Sequence, residues 1–299
     1  MAAYNGEAFL QQQIDTLAAQ TVAHVDIWFS DDGSSDGTKA IAQAAAKRWT
    51  KGGFTILDGP SKGFAENFRS LLVNRAIDAD YFAFCDQDDL WDEDKLAHAI
   101  AWLETQDAAR PALYCTRTRI VAADGTPTGM SRLFSRPPSF RNALVQSIAG
   151  GNTMVMNRAA RMAVMRACER VGFVSHDWWC YLVVSGTGGV VHYCPTPRIG
   201  YRQHEDNLVG ENKSWRAKLT RLKRLFTGTF ENWNDRNLAS LEACGDMLSQ
   251  EARDVMALFE KARSAPLPTR LSALHRSGVF RQSTLGNLGL YIACMLKKL

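Results

Sequence analysis

Three carboxylates stand within four residues at Asp86-Gln87-Asp88-Asp89, directly after the apolar run Tyr81-Phe82-Ala83-Phe84-Cys85. Carboxylates this close repel one another, and a divalent cation offsets that repulsion because hard ions such as Mg²⁺ bind carboxylate oxygens and share substrate phosphates. The alternative is an acidic cap at a helix N-terminus, which suits Asp92 and Glu93 better. For Asp86 and Asp88, at the end of a buried strand, we expect a metal site.

A second acidic cluster, Asp31-Asp32-Gly33-Ser34-Ser35-Asp36-Gly37, follows a β-rich run at residues 25–30. Asp, Gly and Ser all favour turns, so a turn leading into a helix explains this cluster when it is taken alone. Two adjacent carboxylates at the end of a strand also suit hydrogen bonds to a base N–H or a ribose hydroxyl. Together with the first cluster and with Tyr4-Asn5-Gly6, the pattern favours binding of a nucleotide.

Strand and helix patterns alternate through the first hundred residues. The predicted elements are strands at 25–30, 54–57 and 81–85 and helices at 38–49, 65–77 and 92–105. This alternation predicts βαβ units, whose ligand sites lie beyond the carboxyl ends of the strands, where both acidic clusters stand. Further along, the sequence predicts a strand at 113–122, a mobile loop at 126–141 and mainly helices from residue 213 onward.

The N-terminus departs from this alternation. Met1-Ala2-Ala3 is a three-residue stub before Tyr4-Asn5-Gly6 and a helix predicted at 7–20, where a doubly wound domain needs a strand. We expect the start of the domain to lie upstream of Met1. The alternative is a domain that tolerates the loss of most of a central strand.

These motifs, in this order, resemble the family 2 glycosyltransferases, which have the A-type glycosyltransferase fold. The resemblance covers most of residues 1–212 and implies an α/β nucleotide-diphospho-sugar transferase domain with a Rossmann-like mixed sheet there. Residues 213–299 then form a basic, mainly helical C-terminal region. The run Phe84–Trp91, with His176-Asp177-Trp178-Trp179, is most similar to bacterial rhamnosyltransferases that act on cell-surface polysaccharides.

The resemblance also implies roles for single residues. Contacts to the donor or acceptor fall to Ala3, Tyr4, Asn5, Asp31, Asp32, Asp86, Gly151, Asn152, Trp178 and Arg202. Asp177 becomes the general base for the acceptor hydroxyl, although many relatives carry Glu where His176 stands. Asp88 and His204 become ligands of Mg²⁺ or Mn²⁺, with a histidine satisfied on a strand as the alternative for His204. Trp178 and Trp179 desolvate Asp177, pack in the core or form a sugar-stacking wall, three alternatives that stay open.

The implied reaction is a metal-dependent, inverting transfer of a sugar, with L-rhamnose from dTDP-rhamnose as the first choice. The acceptor is a hydroxyl of a cell-surface polysaccharide or of a lipid-linked oligosaccharide. A nucleotidyltransferase of the same fold is one alternative, but Met1–Gly6 lacks the Gly-rich Lys/Arg phosphate loop that such enzymes usually carry. A catalytically inactive scaffold of polysaccharide assembly is another. A glycoside hydrolase also uses two carboxylates, but it needs neither a metal nor a nucleotide pocket.

Charge is unevenly distributed along the chain, whose formal net charge is +4. Residues 1–212 carry 20 basic and 24 acidic side chains, whereas residues 213–299 carry 15 and 7. The segment 213–226 has six basic residues, no acidic residue and an apolar stripe of helical spacing, Trp215, Leu219, Leu222 and Phe226. Such a helix is typical of peripheral contact with an anionic membrane, with packing on the body or a partner subunit as the alternative. Nucleic acid is not an expected partner, because no reader motif accompanies the charge.

Composition sets the remaining expectations. With 46% hydrophobic and 22% charged residues, the chain is expected to fold. Its seven cysteines are odd in number and never spaced as C-x-x-C, which disfavours a disulfide framework or a zinc site and favours a reducing compartment. No stretch approaches the roughly 20 apolar residues that span a bilayer, and the N-terminus is not typical of a signal peptide. We expect a cytoplasmic protein, peripheral at the inner face of the cell membrane.

Overall fold

The elements of the chain are taken from a computed structural model that describes residues 1–203 and 229–299. The strands of these residues are β1 Ala2–Ala3, β2 Ile27–Asp31, β3 Phe54–Asp58, β4 Tyr81–Ala83, β5 Leu90–Trp91, β6 Ala112–Thr116, β7 Arg119–Val121, β8 Pro127–Met130, β9 Val155–Asn157, β10 Val190–Cys194 and β11 Ile199–Arg202. The helices are α1 Leu10–Ala18, α2 Thr38–Arg48, α3 Phe64–Val73, α4 Lys95–Leu103, α5 Phe140–Ala143, α6 Arg158–Arg170, α7 His176–Gly186, α8 Thr229–Glu242, α9 Gln250–Ser264, α10 Leu267–Ser277 and α11 Thr284–Met295. The predicted alternation of strands and helices up to α4 is confirmed.

The main sheet is mixed. One group has the order β1-β2-β3 with parallel pairing throughout. The other has the order β10-β6-β9-β4, in which β9 runs antiparallel to both of its neighbours. The Ala2 amide donates to the Cys85 carbonyl across 3.1 Å, which joins the two groups just beyond β4. The predicted Rossmann-like mixed sheet is confirmed.

A smaller sheet of order β5-β11-β7-β8 lies next to the acidic loop, since β5 begins directly after Asp89. It corrects two expectations. The strand predicted at 113–122 is two strands in different sheets, because the chain turns where Arg117 and Thr118 bond to Ser131 across 2.7 and 3.0 Å. The loop predicted at 126–141 contains β8 and the start of α5.

The first strand has only two residues, yet hydrogen bonds continue past its end. Ala2 and Ala3 pair in register with Ser30 and Asp31 of β2, and the Asp32 amide donates to the Ala3 carbonyl at 2.8 Å. Beyond the strand, the Gln87 side chain accepts from the Tyr4 amide at 2.7 Å and donates to the Tyr4 carbonyl at 2.9 Å. A side chain of the acidic loop therefore continues the hydrogen bonding of β1 beyond Ala3.

One hydrophobic cluster joins the sheet to the C-terminal helices. Trp179 and Tyr181 of α7 are fully buried in it, together with Leu241 of α8, Phe259 of α9 and Leu290 of α11. A second cluster lies under α1, α2 and α4. The predicted domain boundary near residue 212 falls outside the described residues and stays a prediction.

The seven cysteines are all buried as free thiols. Burial in the apolar core raises the pKa of the Cys168 thiol to about 12, so it is protonated at neutral pH. Across residues 1–203 and 229–299, no helix combines the length and the apolar character needed to cross a bilayer.

A pair of substitutions tests the contact between Gly6 and Gln87. A Cβ on Gly6 would lie 2.5 Å from Cδ of Gln87, and the amide cannot retreat without losing its two bonds to Tyr4. We expect Gly6→Ala to lower the free energy of unfolding by about 1–3 kcal/mol, the usual cost of overpacking. In a Gln87→Ala background the same change should cost much less, because the clashing group is gone. Denaturant titration of the four proteins measures the coupling, and additive effects would contradict this contact.

Candidate active site

The acidic loop and the predicted base meet at one place. Asp86 and Asp88 follow β4, and Asp177 lies in the first turn of α7. The pKa of Asp86 is raised to about 7, first because its carboxyl is withdrawn from water and then by the nearby charges of Asp88 and Asp177. Side chains predicted from segments ninety residues apart thus lie within electrostatic reach of one another.

Asp89, the third carboxylate of the loop, is held by protein groups. It is fully buried, its Oδ2 accepts from Nδ2 of Asn152 at 2.6 Å, and its Oδ1 accepts from the Arg202 amide at 3.4 Å. Burial and the neighbouring carboxylates nevertheless raise its pKa well above the ordinary value. These bonds favour an anchoring role for Asp89 and a positioning role for Asn152, whose predicted contact with a substrate stays a prediction.

Arg202, the last residue of β11, ties the loop to α1. Its Nε donates to the Asp88 carbonyl at 2.8 Å, and its Nη2 donates to Oε1 of Gln12 at 2.6 Å. A further bond joins Nη1 to the Ala123 carbonyl, and the guanidinium lies 4.7 Å from the centre of the Phe9 ring. The side chain is buried and bonds within the protein, which favours positioning of the loop; its predicted contact with a substrate stays a prediction.

The two tryptophans after Asp177 are both buried. Nε1 of Trp178 donates to the Ala143 carbonyl at 2.7 Å, and its ring meets Trp233 edge-on with centroids 6.2 Å apart. Trp179 is entirely enclosed by the core. Of the three alternatives for this pair, these contacts favour core packing, which fixes the helix that carries Asp177.

The turn after β2 presents acceptor oxygens that lack donors. Oδ2 of Asp31 accepts from the Ser34 amide at 3.0 Å, and Oδ2 of Asp32 accepts from the Gly63 amide at 2.7 Å. The Oδ1 atom of each is buried without a hydrogen-bond partner among the described residues. An unsatisfied buried carboxylate oxygen is costly, so a ligand that brings N–H or O–H donors to this turn is favoured.

Tyr4 and Asn5 stand beside this turn at the end of β1. Asn5 has a left-handed backbone, with φ of 47°, and it bonds the turn through both its backbone and its side chain. Its amide donates to Oγ of Ser34 at 2.9 Å, and its Oδ1 accepts from the Ser35 amide at 2.9 Å. The Tyr4 side chain is 58% exposed. Asn5 therefore links β1 to the turn, while the Tyr4 ring is available to a ligand.

His176, the neighbour of Asp177, packs against residues 150–152, which we call the glycine turn. Its ring stacks on Phe68 with centroids 3.8 Å apart and meets Phe84 edge-on at 4.7 Å. A Cβ on Gly151 would lie 1.9 Å from Nε2, so the imidazole requires glycine at that position. Burial lowers the pKa of His176 to about 4, and within the described residues neither ring nitrogen has a hydrogen-bond partner. The imidazole is therefore neutral at pH 7.

Sequence reasoning missed two residues of this region. Gln87 lies between Asp86 and Asp88, the two carboxylates predicted for the metal site. Its position within that motif was the only feature of the sequence that indicated a role. Lys95 is buried with its ammonium 3.2 Å from the centre of the Trp91 ring, and burial lowers its pKa to about 7. His204, predicted as a metal ligand, lies outside the described residues, as does the basic segment 213–226.

The buried imidazole predicts a pH-dependent stability. Because folding lowers the pKa of His176 from 6.5 to about 4, the unfolded chain binds the proton more readily, and this stability is present above about pH 6.5 and lost toward pH 4. Between pH 7 and pH 5 this residue should lower the free energy of unfolding by about 2 kcal/mol. In denaturant titrations His176→Leu should remove that part of the pH dependence. His275→Leu, at an exposed histidine, is the control and should keep it; the same slope in all three proteins would contradict the prediction.

Comparisons with known proteins identify the family of the chain. The sequence model of the family described as Glycosyl transferase family 2 matches residues 1–168. The chain is 28% identical over 232 residues to the dTDP-rhamnosyl transferase RfbG of Shigella flexneri, across 74% of this chain and 78% of RfbG. It is also 28% identical over 157 residues to TuaG of Bacillus subtilis, a putative teichuronic acid biosynthesis glycosyltransferase, across 52% of this chain and 59% of TuaG.

A solved structure shares the fold. Residues 1–349 of S. aureus TarS, in complex with UDP-GlcNAc, align with a TM-score of 0.56 over 99% of this chain and 87% of that one, at 16% identity. The family match covers more than half of this chain, from β1 into α6, and includes both acidic clusters. The chain therefore belongs to glycosyl transferase family 2 and is a glycosyltransferase.

Proposed function

We propose that the protein is an inverting, metal-dependent enzyme that moves a sugar from a nucleotide diphosphate to a hydroxyl of a saccharide. The observation that carries this proposal is the meeting of Asp86, Asp88 and Asp177 in one site. Such a site suits a reaction in which a cation balances a diphosphate on one side and a carboxylate takes a proton on the other.

The metal part of the proposal assigns Mg²⁺ or Mn²⁺ to Asp88 and to His204, with Asp86 alongside. The donor set fits, because carboxylate oxygens suit hard cations. Burial and then the charges of Asp88 and Asp177 raise the pKa of Asp86, and a cation would balance that carboxylate charge. Among the described residues no cluster of three His, Cys, Asp or Glu side chains could hold a metal alone. Donor phosphates would therefore supply further oxygens, and the bound cation would offset the charge of the departing diphosphate.

The transfer itself falls to Asp177 and the acceptor hydroxyl. The hydroxyl oxygen forms a bond to the anomeric carbon while the bond from that carbon to the diphosphate oxygen breaks. The hydroxyl proton passes to the Asp177 carboxylate, and the diphosphate leaves with the bonding electrons. A single in-line displacement of this kind inverts the anomeric centre. The rigid, core-packed α7 supports this role because it fixes where the carboxylate lies.

The nucleotide is assigned to the turn after β2. The unsatisfied Oδ1 atoms of Asp31 and Asp32 accept hydrogen bonds from N–H groups of the base, and the exposed Tyr4 ring packs against it. Asp86 faces the ribose hydroxyls. A nucleotide would thus provide the donors that the described protein groups do not supply.

The donor and the acceptor rest on the relatives. RfbG is a dTDP-rhamnosyl transferase by name, which supports dTDP-L-rhamnose as donor, and TuaG, putatively of teichuronic acid biosynthesis, supports a role in polysaccharide synthesis. The acceptor that we propose is a hydroxyl of a cell-surface polysaccharide or of a lipid-linked oligosaccharide. A lipid-linked acceptor would place the enzyme at the cytoplasmic face of the membrane, with the basic segment 213–226 against anionic lipid. No nucleic-acid-binding motif accompanies the charge of that segment, so nucleic acid is not among the proposed partners.

Two substitutions separate the metal from the base. Asp88→Ala and Asp177→Asn should each lower sugar transfer by about 10³-fold or more, since each removes a group that acts in the transition state. Only Asp88→Ala should abolish the Mn²⁺-dependent gain in nucleotide diphosphate affinity, measured by isothermal titration. Asp107→Asn, at an exposed carboxylate, is the control and should transfer normally. Full activity of Asp177→Asn would refute the base assignment.

A donor screen tests the sugar. We expect dTDP-rhamnose to be used faster than UDP- or GDP-sugars by the purified protein, with released nucleotide diphosphate as the readout. Preference for another donor would overturn the rhamnose assignment alone. Failure to bind any nucleotide diphosphate, with or without Mn²⁺, would instead favour the inactive scaffold.

A further inference from the structure

The outer face of α11 is apolar along its whole length. Its outward side chains are large and hydrophobic, with Leu285 82% exposed and Leu288 57% exposed. The same face continues through Tyr291, Ile292, Met295 and Leu296, all exposed. We call these six side chains the α11 strip. Between Leu285 and Leu296 no charged residue interrupts it.

The inner face of the same helix is apolar as well. Leu290, Ala293 and Cys294 are buried in the cluster that α7 shares with the C-terminal helices. A helix that is hydrophobic on every side is ordinarily buried on every side. The inner half of α11 meets this rule. Within residues 1–203 and 229–299 the α11 strip is not covered, so it is a surface suited to an apolar phase or partner.

The charge around the α11 strip distinguishes between partners. From residue 261 to residue 299 the chain has seven basic residues and no acidic one. Arg270 is buried, Arg281 bonds the Val145 carbonyl, and Arg263 and Lys298 pair with Asp235 and Glu231 of α8. The exposed charge of this segment therefore comes mainly from Lys261, Arg276 and Lys297. A second copy of this chain, docked through the same face, would bring like charges together. An anionic bilayer offers opposite charge at its surface and an apolar phase directly below.

The geometry suits a surface contact and excludes a crossing. Twelve helical residues extend for about 18 Å, well short of the roughly 30 Å hydrocarbon core. An interfacial helix places its apolar side chains about 5–10 Å into the headgroup and acyl boundary. Exposed Leu267 extends the apolar surface, because Arg270 of the same helix donates to the Met295 carbonyl at 3.2 Å and so brings α10 beside the end of α11.

The α11 strip is rigidly connected to the active site. Ahead of α11, the Arg281 guanidinium donates to the Val145 carbonyl at 2.7 Å, and the backbone N–H of Gln282 donates to Oε1 of Gln146 at 3.0 Å. The segment that receives these bonds runs directly into the glycine turn that contacts His176. A lipid surface seated on α11 therefore lies at a fixed position relative to the site.

We propose that the α11 strip is a membrane-docking surface that inserts its leucines into an anionic lipid interface. Its residues differ from those of the donor site and from those of the basic segment 213–226, and it does not depend on which sugar is transferred. Its partner is the bilayer itself, recognised by apolar insertion together with the surrounding positive charge.

Vesicle sedimentation tests the proposal on the full chain. The wild type should bind vesicles of phosphatidylcholine with phosphatidylglycerol and bind phosphatidylcholine alone much more weakly. Leu285→Ser/Leu288→Ser should lower the partition into anionic vesicles at least about tenfold, since each buried leucine contributes roughly that factor. Leu133→Ser, at a side chain that is 50% exposed outside the strip, is the matched control and should bind normally. Equal thermal unfolding midpoints show that the variants fold.

Three results would overturn the proposal. One is a wild type that ignores anionic vesicles, and another is equal loss of binding in the double variant and the Leu133 control. The third is a wild-type dimer, detected by light scattering, that Leu285→Ser/Leu288→Ser dissociates, because a second copy would then cover the face. When the lysines and arginines of 213–226 are replaced by glutamine, Leu285→Ser/Leu288→Ser should still lower vesicle binding, because the α11 strip binds lipid through its own residues. Since no arm measures sugar transfer, the result is independent of the proposed reaction.

Discussion

Repulsion among carboxylates at the carboxyl end of β4 is the constraint on which the rest of the site depends. Asp86 and Asp89 both have raised pKa values because they lie away from water and beside other carboxylates. Each unit of such a shift corresponds to about 1.4 kcal/mol between the charged and the neutral form. The fold tolerates this cost at a position where the working enzyme would hold compensating charge.

Compensation for this charge is divided between the protein and its ligands. The protein supplies the Asn152 amide and the Arg202 backbone N–H to Asp89, and the Arg202 guanidinium fixes the carbonyl of Asp88. These groups determine where the loop lies. Asp86, in contrast, has the carboxylates of Asp88 and Asp177 among its charged neighbours. In the proposed mechanism that imbalance is what makes the site selective for a cation with its phosphates.

Local signals were sufficient for the elements of the first hundred residues. The periodicity of apolar residues, the turn residues and the apolar runs predicted the elements as far as α4. They also placed both acidic clusters at strand ends. Contacts that bridge long stretches of chain had no such signal: Gln87 bonds the backbone of Tyr4 across 83 residues, and Arg202 bonds the Asp88 carbonyl across 114. The break between β6 and β7 was hidden for a related reason, since residues 112–116 and 120–121 are mostly apolar and the bonds of Arg117 and Thr118 to Ser131 lie outside either strand.

The end of the family match does not coincide with the end of the hydrophobic cluster around α7. The family match ends at residue 168, inside α6, whereas Asp177 lies beyond it. Trp179 of α7 is enclosed together with Leu241 and Phe259 of the C-terminal helices. The segment that the family model matches is therefore shorter than the segment that packs around one core. In evolutionary terms, the C-terminal helices can diverge in sequence only as far as they continue to cover the helix that carries the proposed base.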